Sequence, residues 1–109
     1  MLAELIAERD RFTIAGAPAG HDAQVLARIA RDNPARHVLH VARDVARLWL
    51  LHDTIRFFDP SLSLTVIPAW DCVPYDRTSP SPEIAAERLN GLCALARSAD
   101  RPPESGHLV

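Results

Sequence analysis

The stretch Thr13-Ile14-Ala15-Gly16-Ala17-Pro18-Ala19-Gly20-His21-Asp22-Ala23-Gln24 decides how this chain reads. A short apolar strand, Phe12 to Ala15, is expected to run into a small-residue loop and then into an amphipathic helix, the layout of a phosphate-cradling loop. The chemistry departs from that layout. A working loop reads G-x-x-x-x-G-K-[ST]; with Gly20, His21 and Asp22 on its last three positions, the first glycine falls on Ala15, beside Gly16. The lysine becomes His21 and the hydroxyl residue becomes Asp22.

Each departure bears on phosphate binding. A loop lysine sets a fixed positive charge against the β- and γ-phosphates, and an imidazole supplies no such fixed charge at pH 7. Asp22 adds negative charge where the bound group would itself be negative; it could hold Mg²⁺, but without the lysine it would repel a nucleotide. Pro18 removes a backbone N–H from a loop that needs its N–H groups turned inward. Ala15, Gly16, Gly20, His21 and Asp22 therefore read as a vestigial phosphate loop, with no cofactor expected on them.

Working outward, Val25, Leu26 and Ile29 are expected to share the inner face of a helix from Asp22 to Asp32, which Asn33-Pro34 stops. His37 to Ala42, with Val38, Leu39 and Val41, reads as a buried parallel strand. His40 within it reads as a core histidine, since no partner motif accompanies it. Asp44 to Phe58 is a second covering helix with Val45, Leu48, Trp49, Ile55 and Phe58 as its apolar stripe. Asp59-Pro60-Ser61 makes a turn and Leu62 to Ile67 a third strand. Strands alternating with helices across short joints imply βαβ crossovers and a parallel sheet. At the front, Leu2, Leu5 and Ile6 at helical spacing predict a short leading helix packed on the body of the domain.

Composition bounds the function. The chain has 109 residues, 48% hydrophobic and 24% charged, with a net charge of −2, which fits one soluble domain and argues against a strongly electrostatic nucleic-acid binder. All 12 basic residues are arginine, so no loop lysine or Schiff-base lysine exists in this chain. Cys72 and Cys93 stand 21 residues apart without a C-x-x-C, which disfavours a zinc site and suits reduced, partly buried thiols in a cytoplasmic protein. Met1 to Arg11 carries five charges and reads as neither signal peptide nor membrane span.

Pro68 to Pro82 breaks the pattern with four prolines in fifteen residues. It cannot be a regular helix, and Trp70, Val73 and Tyr75 make it too apolar for a linker, so an ordered loop pinned by its aromatics is expected. Ser81 as N-cap and Pro82 at the first position should start a last helix, with Glu83 favourable to its dipole. Ile84, Leu89, Leu92, Cys93 and Leu95 should face inward on it. Asp100 to Gly106 is a connector, and His107-Leu108-Val109 looks like the opening of another strand. The chain thus reads as a single α/β domain, residues 1–109, cut from the N-terminal part of a longer one.

The loop also carries a resemblance. Pro68-Ala69-Trp70-Asp71, then Val73-Pro74-Tyr75-Asp76-Arg77, Ser79-Pro80-Ser81-Pro82-Glu83-Ile84 and Glu87-Arg88-Leu89 closely resemble the N-terminal region of bacterial transcription-repair coupling factors. The resemblance extends from the degenerate loop through Phe57-Phe58-Asp59-Pro60 to the last connector. It implies the first subdomain of a UvrB-like module: a three-layer parallel sheet with flanking helices, similar to P-loop NTPases but with its nucleotide loop lost. For the full-length protein it implies an ATP- and Mg-dependent DNA translocase that displaces stalled RNA polymerase and recruits UvrA for excision repair. The UvrA contacts and the acidic metal ligands would lie beyond Val109, and Asp71 reads as a loop residue rather than a metal ligand.

Two other readings stand beside that scaffold role. One is a nucleotide-binding half-site of an ATPase or helicase completed by later segments. The other takes Trp70, Tyr75 and Arg77 as anchors of a docking surface for another domain, against the plainer view that these residues close the bottom of the core. No catalytic residue, metal ligand or membrane partner is expected in this segment.

Overall fold

The computed structural model describes residues 11–73, 75, 77–100 and 106–109. Among the described residues, three helices, α1 (His21–Asp32), α2 (Val45–Phe58) and α3 (Pro82–Asp100), alternate with three short strands, β1 (His37–Val38), β2 (Ser63–Leu64) and β3 (His107–Leu108). The sheet is parallel in the order β1-β3-β2, with the last strand in the middle. His37 and Ser63 both pair with His107, and Val38 and Leu64 with Leu108. Two further bonds, His40 N–H to the Val109 carbonyl (2.8 Å) and Thr65 N–H to that of Leu108 (2.9 Å), prolong the ladder. This is the α/β class that the alternation predicts.

The expected first strand is not in the sheet. Phe12 to Ala15 has no strand conformation, and Phe12 and Ile14 are exposed. The expected leading helix lies outside the described residues, as does most of the connector before Gly106.

α1 begins at Gly20, whose φ of 83° is left-handed and suits glycine. Its buried face is made of alanines: Ala23, Ala27 and Ala30 are sealed, whereas Val25, Leu26 and Ile29, the expected inner face, are only half-buried. Small side chains let backbones approach closely, and Gly106 uses that space. At φ 86° it lies so near the Ala30 carbonyl that a Cβ would overlap it. Asn33 closes the helix, its side-chain amide donating to the Ile29 carbonyl at 2.8 Å.

α2 is capped by Asp44, whose carboxylate accepts the Arg47 N–H at 2.8 Å. Leu51 and Ile55 are its buried residues, and they join the α1 alanines, Leu62 and Leu108 in one core cluster. Of the expected stripe, Ile55 is buried and Leu48 half-buried, while Val45, Trp49 and Phe58 are exposed. The apolar residues of α2 surround the helix too fully for periodicity to pick its inner side. Beyond β1, Leu39 and Val41 are likewise exposed instead of buried.

The turn after α2 is tied back to α1. Asp59 is buried; its Oδ2 accepts from Arg31 Nε (3.1 Å) and Nη2 (2.6 Å), and its Oδ1 from the Ser61 hydroxyl (2.7 Å). The guanidinium first and the Ser61 hydroxyl second hold this carboxyl below the usual carboxylate range.

α3 starts as expected, with the Ser81 hydroxyl accepting the Ile84 N–H at 3.3 Å and Pro82 in the first position. Its packing differs from expectation. Gly91 is its buried residue, because a Cβ there would meet the Val66 carbonyl at 2.6 Å. Ile84, Arg88, Leu95 and Ser98 line that side half-buried, while Leu89, Leu92 and Cys93 face away. α3 contributes nothing to the core cluster.

Candidate functional site

The mouth of α1 is where the sequence places a phosphate loop, and the structure shows what its donors do. The His21 N–H donates to the Pro18 carbonyl at 3.1 Å, the Ala23 N–H to Asp22 Oδ1 at 3.0 Å, and the Gln24 N–H to the Gly20 carbonyl at 3.3 Å. A cradle for an anion needs such N–H groups turned outward and unused. Here the His21 and Ala23 N–H groups have acceptors within the chain, and the Gln24 N–H makes the first bond of the helix itself. Asp22 also forms an ion pair with Arg47 of α2, both side chains one-third exposed. The Arg47 cation beside the loop is therefore already matched by a carboxylate, and the pair locks the start of α1 to α2.

Ala15 and Gly16 are exposed, Gly20 and Asp22 half-buried, and His21 exposed on the first turn. Next to them opens a cavity of about 630 Å³ between the loop and α2. Pro18, Ala19 and Gly20 form one wall, and Leu50, Thr54, Phe57 and Phe58 the other. Thr54 turns its hydroxyl back to the Leu50 carbonyl at 2.6 Å and presents its methyl toward Gly20. Its polar lining is the Asp22–Arg47 pair with His21, Gln24 and Asp53; the rest is mostly apolar. Such a lining suits aliphatic or aromatic groups better than a triphosphate.

Trp70, Tyr75 and Arg77 are not brought together as a core plug. Trp70 is half-exposed, its ring 4.4 Å below the Arg88 guanidinium, and Arg88 in turn donates to the Pro68 carbonyl. Tyr75 is wholly exposed at φ 74°, and Arg77 is exposed. The loop is pinned by Trp70 on Arg88 and by Asp71, whose two oxygens each accept the Ser81 N–H at 3.2 Å. Hydrogen bonds from the Ser81 side chain and then its backbone hold the Asp71 carboxyl below its ordinary value. Asp71 is thus a loop residue that braces the start of α3.

One cluster escapes motif reading. His37 and His107 sit on neighbouring strands in register, their Nδ1 atoms 2.9 Å apart, and His107 Nε2 lies 2.7 Å from the Thr65 hydroxyl. One ring must donate and the other accept, and Thr65 completes the second side of His107. Burial first, and the neighbouring His37 second, push the His107 pKa down, so this ring is held neutral. The available signal was that His37 and His107 each open a strand; adjacency of the two strands was not legible. His40, the histidine that sequence reading singles out, is half-buried and uses its backbone in the sheet. Among the described residues no three metal-ligating side chains cluster, and no helix is long and apolar enough to cross a membrane.

No protein-family model, curated protein or solved structure matches the chain.

Proposed function

We propose that this chain is a non-catalytic α/β scaffold, the first subdomain of a UvrB-like module in a cytoplasmic transcription-coupled repair factor. The observation that carries the proposal is the mouth of α1, where the His21 and Ala23 N–H groups have acceptors within the chain and Arg47 is matched by Asp22. A phosphate would have to break that pair and would gain no lysine in return. The resemblance of Pro68 to Leu89 supplies the wider setting: an ATP- and Mg-driven translocase elsewhere in the full-length protein, acting on DNA, on stalled RNA polymerase and, through UvrA, on excision repair. P-loop ancestry accounts for a glycine-entered helix after a small-residue loop.

Calorimetric titration with ATP and Mg²⁺ tests the reading. No heat is expected up to millimolar nucleotide. Binding tighter than about 0.1 mM, or about −5.5 kcal/mol, would overturn it in favour of a nucleotide-binding half-site. Restoring the motif with His21→Lys and Asp22→Thr is expected to yield no phosphate release, because the loop alone supplies no group to activate water.

A further inference from the structure

The paired histidines of the sheet have no part in the scaffold role. His37 and His107 are register partners on adjacent parallel strands, so the ladder fixes the separation of their backbones. Gly106, pressed against the Ala30 carbonyl, anchors the chain just before His107. Side chains set on paired strands hold their geometry more closely than side chains on loops. His107 is buried, with 2% exposure, while His37 is exposed. The pair is therefore open to solvent from the His37 side.

Thr65 governs which ring nitrogens can act as ligands. Its hydroxyl lies 2.7 Å from His107 Nε2; when that nitrogen donates to it, His107 Nδ1 keeps a bare lone pair. Ligating histidines are commonly oriented this way, the far ring N–H held by an oxygen acceptor. The bare nitrogen is 2.9 Å from His37 Nδ1, which then supplies the single proton between the rings. His37, being exposed, can pass that proton through water to its own Nε2, and the ring stays neutral in either tautomer. The pair then presents two lone pairs to a cation, with no net proton released.

The spacing selects among cations. With metal–nitrogen bonds of about 2.05 Å, nitrogens 2.9 Å apart subtend about 90° at the metal. That is the cis angle of tetragonal and octahedral ions, whereas a tetrahedral ion needs its nitrogens about 3.3 Å apart. Imidazole suits copper and nickel, and Cu²⁺ heads the affinity order of the first-row divalent ions. We propose that His37 and His107 form a two-histidine site for a divalent transition metal, Cu²⁺ or Ni²⁺, with both Nδ1 atoms as cis ligands and water completing the coordination. The bound ion clips the edge strand β1 to the central strand β3. The site uses no residue of the α1 mouth, so it and the scaffold reading fail separately: nucleotide binding would leave it standing.

The test uses the full 109-residue chain carrying Cys72→Ser and Cys93→Ser, which removes the thiols that would compete for Cu²⁺. Ni²⁺ at about a hundredfold above its dissociation constant should raise the melting temperature by roughly 10 °C. Electron paramagnetic resonance of the Cu²⁺ form should show splitting from two nitrogens. His37→Gln, at an exposed position, is expected to fold and to lose both signals; His107→Gln should lose them as well. His40→Gln and His52→Gln should keep both. No thermal shift, a shift that survives His37→Gln, a spectrum with fewer than two nitrogens, or stronger stabilisation by Zn²⁺ than by Ni²⁺ would each overturn the proposal.

Discussion

Two glycines mark two close approaches in this molecule, and they are supported very differently. Gly106 lies against the Ala30 carbonyl inside a seam that continues through Ala27, Ala23, Leu51, Ile55, Leu62 and Leu108. Gly91 lies against the Val66 carbonyl, but the helix around it turns Leu89 and Leu92 outward and adds nothing to the core. The first region is a packed core; the second is a helix held at points, namely Gly91, Arg88 on Trp70, and Ser81 on Asp71. The residue run that carries the family resemblance, Pro68 to Leu89, belongs to the second region.

The largest expected break comes at the seam. Gly106→Ala would force a Cβ into the Ala30 carbonyl at a left-handed φ, combining overpacking with backbone strain for a loss of about 3 kcal/mol or more. Thermal unfolding followed by circular dichroism should fall by roughly 10 °C or more. A loss under about 1 kcal/mol would mean that the seam yields, and the contrast between the two regions would collapse. Gly91→Ala is the matching change in the other region. The Val66 carbonyl at 2.6 Å must move, yet α3 can shift away from the body, so about 1 to 2 kcal/mol is expected. Equal losses at both glycines would erase the distinction.

The seam side also carries the acid sensitivity. Asp59 has its pKa depressed in the folded state by Arg31 and Ser61. The stability it lends is present above the unfolded carboxylate value of about 4 and is lost as pH falls through the lower folded value. Asp59→Asn should flatten the acid limb of the stability profile, measured by urea unfolding across that range. An unchanged limb would show that the Arg31 tie is not linked to folding.

His107 adds a smaller effect at milder pH. Its folded pKa is lowered by burial and by His37, so below about 6.5 the unfolded chain takes up a proton that the folded chain resists. Stability should decline as pH drops from about 7.5 to 5.5, and His107→Gln should lessen that decline. The groups facing the ring are His37 and Thr65; a decline equally steep in the variant would assign it to another residue.

How much of this was legible in the sequence differs between the same two regions. Caps and breakers are local, so Asn33-Pro34, Asp59-Pro60-Ser61 and Ser81-Pro82 could be placed from sequence alone. Helix α1 was legible as an element but not in its inner face, because large aliphatic residues outrank alanine in any hydrophobic pattern, while close approach to Gly106 favours the alanines. Phe12 to Ala15 reads as a strand by composition, yet strand formation depends on finding an edge to pair with. Around the loop, the loss of lysine was visible; the pairing of Asp22 with Arg47 was not, since it joins residues of two helices. The His37–His107–Thr65 row was hidden for the same reason.

The smallest expected effect tests the pinned region directly. Trp70 is half-exposed and stacks on Arg88, so Trp70→Ala removes a surface cation–π contact of about 0.5 to 1 kcal/mol. If Trp70 closed the core, its truncation would cost roughly 3 to 5 kcal/mol and the domain would lose its cooperative melt. The folded variant should keep its melting transition within a few degrees while the loop loses its hold on α3, seen as faster amide exchange from Pro68 to Ser81. Retained folding with loosened exchange would leave the Trp70 face open to serve another domain. An unfolded variant would restore it to the core, and with it the view that one packed interior spans both regions.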